Sequence, residues 1–218
     1  MVNGHDMSEH AQGTELPYVT PAHPSRLWIR CSDSPPDLVD LIHRQAVLAH
    51  ANPGNLAAPS DISFSASLKM AIDIYEVDEI AVCGHYSCAS VEAAASGIRR
   101  GILGEWLSPI RSLARRRSGP QAGAGGPPSS VDALAEMNVV QQTLNVTRNS
   151  VVRNAWADGK RVTVFGMIFD PASGSGSLHG PLSMPGGKEE GEGLENFHAQ
   201  KRIGELLQVV RRYTGGHT

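Results

Sequence analysis

The chain has 218 residues and a net charge of −3, enough for one compact α/β domain with extensions and too little basic excess for a nucleic-acid partner. No window approaches the ~20 apolar residues of a membrane span, and Met1 to His23 lack the apolar run of a secretory signal, so a cytoplasmic protein is expected. Three cysteines cannot complete a disulfide set, which favours a reducing compartment where thiolates are free to hold a metal.

Residues 1–24 contain Pro17, Pro21 and Pro24 and read as a flexible N-terminal arm; a single domain is expected over 25–213. Leu27 to Cys31 is a short buried strand that ends at a turn. Ser34-Pro35-Pro36-Asp37 opens a helix, with Ser34 as N-cap and Leu38, Leu41 and Ile42 at helical spacing behind it. Ala46 to Ala49 is a second strand. Over Ser60 to Tyr75 the fourfold spacing of Ile62, Ala66, Met70 and Ile74 predicts a helix whose buried stripe they form, broadened by Leu68 and Ile72. Glu79 to Cys83 is an apolar strand closed by Gly84, and alanine-rich Tyr86 to Ser96 reads as helix.

Ile102 to Arg116 is a further helix, and Arg115-Arg116-Arg117 is its solvated basic end. Ser118 to Ser130 is a flexible Gly/Pro/Ser/Ala loop. Val131 to Ala157 reads as one long helix, and the Asn145-Val146-Thr147 sequon inside it is discounted. Arg161 to Ile168 is a strand, Ser173 to Gly193 is loose, and Asn196 to Tyr213 closes the chain as an amphipathic helix. This alternation predicts a mainly parallel β-sheet flanked by helices.

The chemistry concentrates in Gly84-His85-Tyr86-Ser87-Cys88, where a strand gives way to a helix. His85 and Cys88 stand three apart and can face one point at the helix start, where the positive helix end favours a thiolate. Cys31 ends an earlier strand, and neighbouring strand ends of a parallel sheet are where sites assemble. Two thiolates and an imidazole are a ligand set of catalytic zinc enzymes that leave a fourth position open. The competing reading makes Cys31 and Cys88 buried core thiols and His85 a helix-capping residue.

Cys31-Ser32-Asp33-Ser34 and His85-Tyr86-Ser87-Cys88 resemble the two zinc-ligand motifs of the β-class carbonic anhydrases. Leu27-Trp28-Ile29, Ile80 to Tyr86, Glu105-Trp106-Leu107, Ile110-Arg111 and Met137-Asn138-Val139 are similar to other landmarks of that family, so the resemblance covers roughly Arg26 to Ser177. It implies zinc on Cys31, His85 and Cys88, Asp33 beside the metal, and hydration of carbon dioxide by zinc-bound hydroxide. It also implies a homodimer or a dimer of dimers. Cys83 matches no ligand position and packs in its strand.

The chain departs from the pattern at several places. The family's C-x-D-x-R has Pro35 at the arginine, so Asp33 loses the partner that holds it off the metal and is expected to close the coordination sphere. The alternative is that Arg30, which stands where the family has a small glycine, or Arg44 takes over that pairing. The glycine after the second cysteine is Ala89, followed by Ser90, and His50-Ala51-Asn52 stands at a family H-R-N, so Ala51, Ala89 and Ser90 are expected to line an altered pocket. With Ala51 at an arginine position and Phe169 at a tyrosine, the bicarbonate-inhibition site implied by Trp28 is expected to be absent. His50, and less so His43, is a candidate proton shuttle against the plainer reading of exposed loop histidines.

Three functions follow: a carbonic anhydrase in weakened form, a zinc-dependent hydrolase, lyase or hydratase acting on another small electrophile, or a non-catalytic zinc protein closed by Asp33.

Overall fold

The computed structural model describes residues 24–39, 47–117 and 131–178. The N-terminal arm, Arg44, the loop at 118–130 and the helix expected at Asn196 to Tyr213 lie outside the described residues. Five strands form one sheet: β1 (Arg26–Cys31), β2 (Val47–Asn52), β3 (Glu79–His85), β4 (Thr163–Asp170) and β5 (Ser175–Leu178). Their order is β2-β1-β3-β4-β5, with the first four mutually parallel and β5 antiparallel to β4. The central strand β3 is buried along its whole length, as a sheet covered on both faces requires.

Helix also begins at 36–39, where the expected helix after Ser34 opens, and six further helices lie within the described residues: α1 (Ile62–Asp73), α2 (Ala89–Ala95), α3 (Gly101–Trp106), α4 (Ser108–Arg117), α5 (Val131–Arg148) and α6 (Ser150–Ala157). Asp61 caps α1 by accepting the amides of Ser63 and Phe64. The helix buries Phe64, Leu68, Ala71 and Ile72, while Ile62 is 85% and Ile74 72% exposed. The expected row of Ile62, Ala66, Met70 and Ile74 is therefore the outer face, while Leu68 and Ile72, expected to broaden it, lie in the buried row. Two apolar rows share the fourfold spacing, and the row containing the aromatic Phe64 takes the sheet side, where its ring meets His50 edge-on.

The single helix expected over Ile102 to Arg116 is two. Pro109 has no amide to donate to Glu105, so the ladder breaks at Leu107 and restarts at Ser108. The long helix expected to Ala157 also breaks, at Asn149, whose side chain accepts the Val151 amide and caps α6. Strand β5 lies in the segment read as loose. Asp170 accepts the Ala172 amide and the Ser173 hydroxyl, folding the turn that brings β5 back along β4.

Helix α5 packs on β3 and β4 and sets the depth of the sheet's helical cover. It comes so near β3 that a Cβ on Gly84 would lie 2.5 Å from Val139 Cγ2 and 3.0 Å from Ile168 Cδ1. Leu27, Ile29, Ile80, Val82, Val139, Val164 and Ile168 form the core between them. The C-terminal ends of β1 and β3 thus lie side by side in parallel register.

Candidate metal centre

Cys31 ends β1 and is fully buried. The chain turns immediately after it: the Ser34 amide and hydroxyl both donate to the Cys31 carbonyl, at 3.2 and 2.7 Å. This turn carries Asp33 back over the end of the sheet. His85 ends β3, two strand positions beyond the expected boundary, and is 2% exposed.

The approach of Cys88 to His85 has a different cause from the one the spacing suggested. Ser87 takes the left-handed region, φ 55°, and the helix does not begin until Ala89, with Cys88 as its N-cap. A tight left-handed turn, not a helical face, folds the two ligands together.

The four side chains converge. Cys31 Sγ, Cys88 Sγ, His85 and Asp33 each offer one ligand atom, and these atoms all lie within 4.8 Å of one another. The Cys88 and Cys31 sulfurs are 3.6 Å apart, Cys88 Sγ is 3.6 Å from Asp33 Oδ1, and that oxygen is 3.1 Å from His85 Nε2. A tetrahedral zinc with ligands at ~2.0–2.3 Å spaces its donors about 3.3–3.8 Å apart. His85 Nδ1 donates to the Tyr86 carbonyl at 3.0 Å, which leaves Nε2 as the nitrogen with a free lone pair. A lone pair, a carboxylate oxygen and two sulfurs gathered this closely need shared protons or a cation between them, and the soft, borderline donor set suits zinc.

Protonation follows the same crowding. The Cys31 thiol is pulled down to about 5, first by the hydrogen bond from Cys88 and further by His85, against the opposing effect of burial. Cys88 is pushed up by that same bond and by burial, so the second thiol keeps its proton until a cation arrives. Burial alone would raise Asp33, but Cys31, the Ala89 amide and His85 together hold it below the usual carboxylate range. Burial would likewise lower His85, and its contacts with Cys31, the Tyr86 carbonyl and Asp33 reverse that.

Asp33 Oδ2 accepts the Ala89 amide at 2.8 Å, and its other oxygen turns to the ligand atoms. Among the described residues no guanidinium is hydrogen-bonded to it. Arg30 points elsewhere: its Nη1 donates to the Cys31 carbonyl at 3.0 Å, and its Nε is buried without a partner. Ser90 Oγ stands 3.6 Å from Cys31 Sγ, so Ala89 and Ser90 both belong to this cluster. Ala51 does not. It pairs with Arg30 in register while Asn52 pairs with Cys31, and alternation turns Ala51 to the opposite side of the sheet.

His50 is not an exposed loop residue but lies in β2, 8% exposed, with Nδ1 on Ser67 Oγ and Nε2 on Asn52 Nδ2. Cys83 is fully buried and held up to about 12 by that burial, with Arg30 acting weakly the other way. One contact went unread in the sequence: the Gly54 amide donates to Cys31 Sγ at 2.9 Å. Pro53-Gly54-Asn55 carried a turn signal that would have drawn attention to it.

Comparison with known proteins gives a consistent result. The sequence model of the family described as carbonic anhydrase matches residues 26–176. A carbonic anhydrase of Emericella nidulans is 29% identical over 153 residues, 69% of this chain and 67% of that protein. One of Candida albicans is 31% identical over 154 residues, 69% of this chain and 54% of that longer protein. Among solved structures, a tetrameric β-carbonic anhydrase of Sordaria macrospora superposes with a TM-score of 0.63 at 28% identity, covering 74% of this chain and 83% of its own.

Proposed function

The chain belongs to the carbonic anhydrase family, in its β class, and from that premise we propose that it reversibly hydrates carbon dioxide at a zinc ion held by Cys31, His85 and Cys88, with Asp33 competing for the fourth position. The observation that carries this reading is the convergence of the four donors, all within 4.8 Å of one another, at the ends of two parallel strands. Bound there, zinc supplies a Lewis acid that brings the pKa of a water down to about 7.

The chain's own residues set how that chemistry runs. Cys31 and Cys88 are buried, and once Cys88 gives up its proton to a bound cation the two would supply thiolate charge in a dry surrounding. His85 is fixed in one tautomer by the Tyr86 carbonyl. Asp33 is tethered at Oδ2 by the Ala89 amide, so Oδ1 stays beside the ligand atoms, where it contests the open position with water. With Pro35 at the family's arginine, no paired charge from that position draws the carboxylate back. Hydroxide competes better with a carboxylate as pH rises, so turnover is expected to be weak near neutrality and to grow in alkali.

We place the enzyme in the cytoplasm as a homodimer or dimer of dimers. The tetrameric Sordaria relatives support the assembly, and among the described residues no helix is long and apolar enough to cross a membrane. The function is tested by oxygen-isotope exchange between labelled carbon dioxide and water, together with zinc content. Wild type should hold one zinc per chain and accelerate exchange, and Cys88→Ser should lose both. Full zinc without exchange at any pH would reject the activity and leave only a metal-binding fold.

A further inference from the structure

We infer that Trp106 and Asn138 are positioning residues that clamp the Pro53–Gly54 turn so that the Gly54 amide stays on Cys31 Sγ and limits that sulfur's donor strength toward a metal. The inference rests on the ligand set proposed above. Its basis is a run of contacts through one peptide unit. The Trp106 indole Nε1 donates to the Pro53 carbonyl at 2.7 Å, and the N–H of that same amide belongs to Gly54 and donates to Cys31 Sγ at 2.9 Å. A donor on one end of an amide polarises it and strengthens the bond its other end makes.

The next carbonyl is held as well. Asn138 Nδ2 donates to the Gly54 oxygen at 2.9 Å, and Asn138 Oδ1 accepts from Gln142 Nε2 at 3.0 Å. Gln142 Oε1 in turn accepts the Ala57 amide at 3.0 Å. Asn52 closes the turn by bonding both the amide and the carbonyl of Leu56, at 2.7 and 2.8 Å. Asn138 and Gln142 are each 1% exposed, so the Asn138 side of the clamp is desolvated, while the Trp106 bond to Pro53 lies at the surface.

The turn cannot relax by a change of residue. Gly54 has φ 82°, and a Cβ there would lie 2.7 Å from Ile110 Cδ1. Helices α3 and α5 therefore each send one side chain to adjacent carbonyls of a turn that requires glycine at position 54. The two anchors leave the Gly54 amide one direction, onto the sulfur. An N–H on a thiolate withdraws charge from it, and the groups behind a ligand tune a metal as its direct ligands do.

The test uses the full chain loaded with cobalt(II) in place of zinc, read by its sulfur-to-metal charge-transfer band. Trp106→Phe keeps the ring and deletes the indole donor, and the band should move to longer wavelength as the freed sulfur donates more strongly. Trp156→Phe is the control, because it deletes an equivalent indole-to-carbonyl bond, to Val162, away from the ligand cluster. It should leave the band in place. If Trp106→Phe does not fold, Asn138→Leu removes the other anchor and should produce the same shift. A Trp106→Phe band identical to wild type, or an equal shift in Trp156→Phe, overturns the inference. Absence of any sulfur-to-cobalt band in the wild type would instead reject the ligand set itself.

Discussion

Asp33 holds the Ala89 amide at one oxygen and meets His85 at the other, while Arg30 is engaged with the Cys31 carbonyl, so the carboxylate takes no guanidinium from β1. Pro35 follows it by two positions and has neither charge nor donor. Restoring the family residue, Pro35→Arg, should draw Asp33 off the open position and raise kcat/KM for carbon dioxide about tenfold near neutral pH, a change of about 1.4 kcal/mol in the barrier. The gain should shrink in alkali, where hydroxide would compete with the carboxylate without help; pH-dependent kinetics of the two proteins check both points.

His50 offers a second prediction at this scale. Burial holds its pKa below the usual value, with Asp61 opposing, so the unfolded chain binds its proton at a higher pH than the folded one. Stability from this group is full above ~6.5 and is lost as pH falls through the window below it. His50→Gln should flatten that part of the stability-against-pH curve, measured by denaturant unfolding at a series of pH values.

At the scale of elements, the site depends on how closely α5 lies on β3. Gly84 precedes His85, and its missing Cβ is the space that Val139 fills. Gly84→Ala should cost about 1–3 kcal/mol through overpacking and weaken zinc binding by displacing the end of β3. Val139→Ala removes the clashing methyl groups, so the double variant should regain part of that stability; urea unfolding of both single variants and the pair gives the coupling. The helix breaks show the same dependence on single residues. Pro109 and Asn149 each divide a stretch that apolar spacing alone reads as continuous, and both breaks rest on backbone donors rather than on hydrophobic pattern.

For the whole molecule, the mainly parallel sheet could be foreseen from the apolar runs, with Cys31 at the end of one and His85 just beyond another, whereas Cys88 arrives through the Ser87 turn, which no apolar run records. The two rows of α1 could not be ranked, because Ile62 and Ile74 are as apolar as Leu68 and only the sheet decides which row it covers. Strand β5 escaped notice since Ser175-Gly176-Ser177 has no apolar alternation and owes its place to the Asp170 turn. The Gly54 contact with Cys31 joins residues 23 positions apart through a turn, a relation that no periodicity records. A zinc ion at the proposed site would tie these distant parts together: removing it with a chelator should lower the melting temperature, and zinc at 100 to 1,000 times its dissociation constant should restore about 2.7–4.1 kcal/mol.

The proposed zinc site would hydrate carbon dioxide with Asp33 contending for its open position. Stopped-flow hydration on zinc-replete protein, from about pH 6.5 to about pH 9 to bracket the value near 7 for water on zinc, tests it most directly. A rate above buffer that climbs with pH and disappears in His85→Ala is the predicted result. No rate at any pH, with zinc confirmed at one per chain, would contradict it.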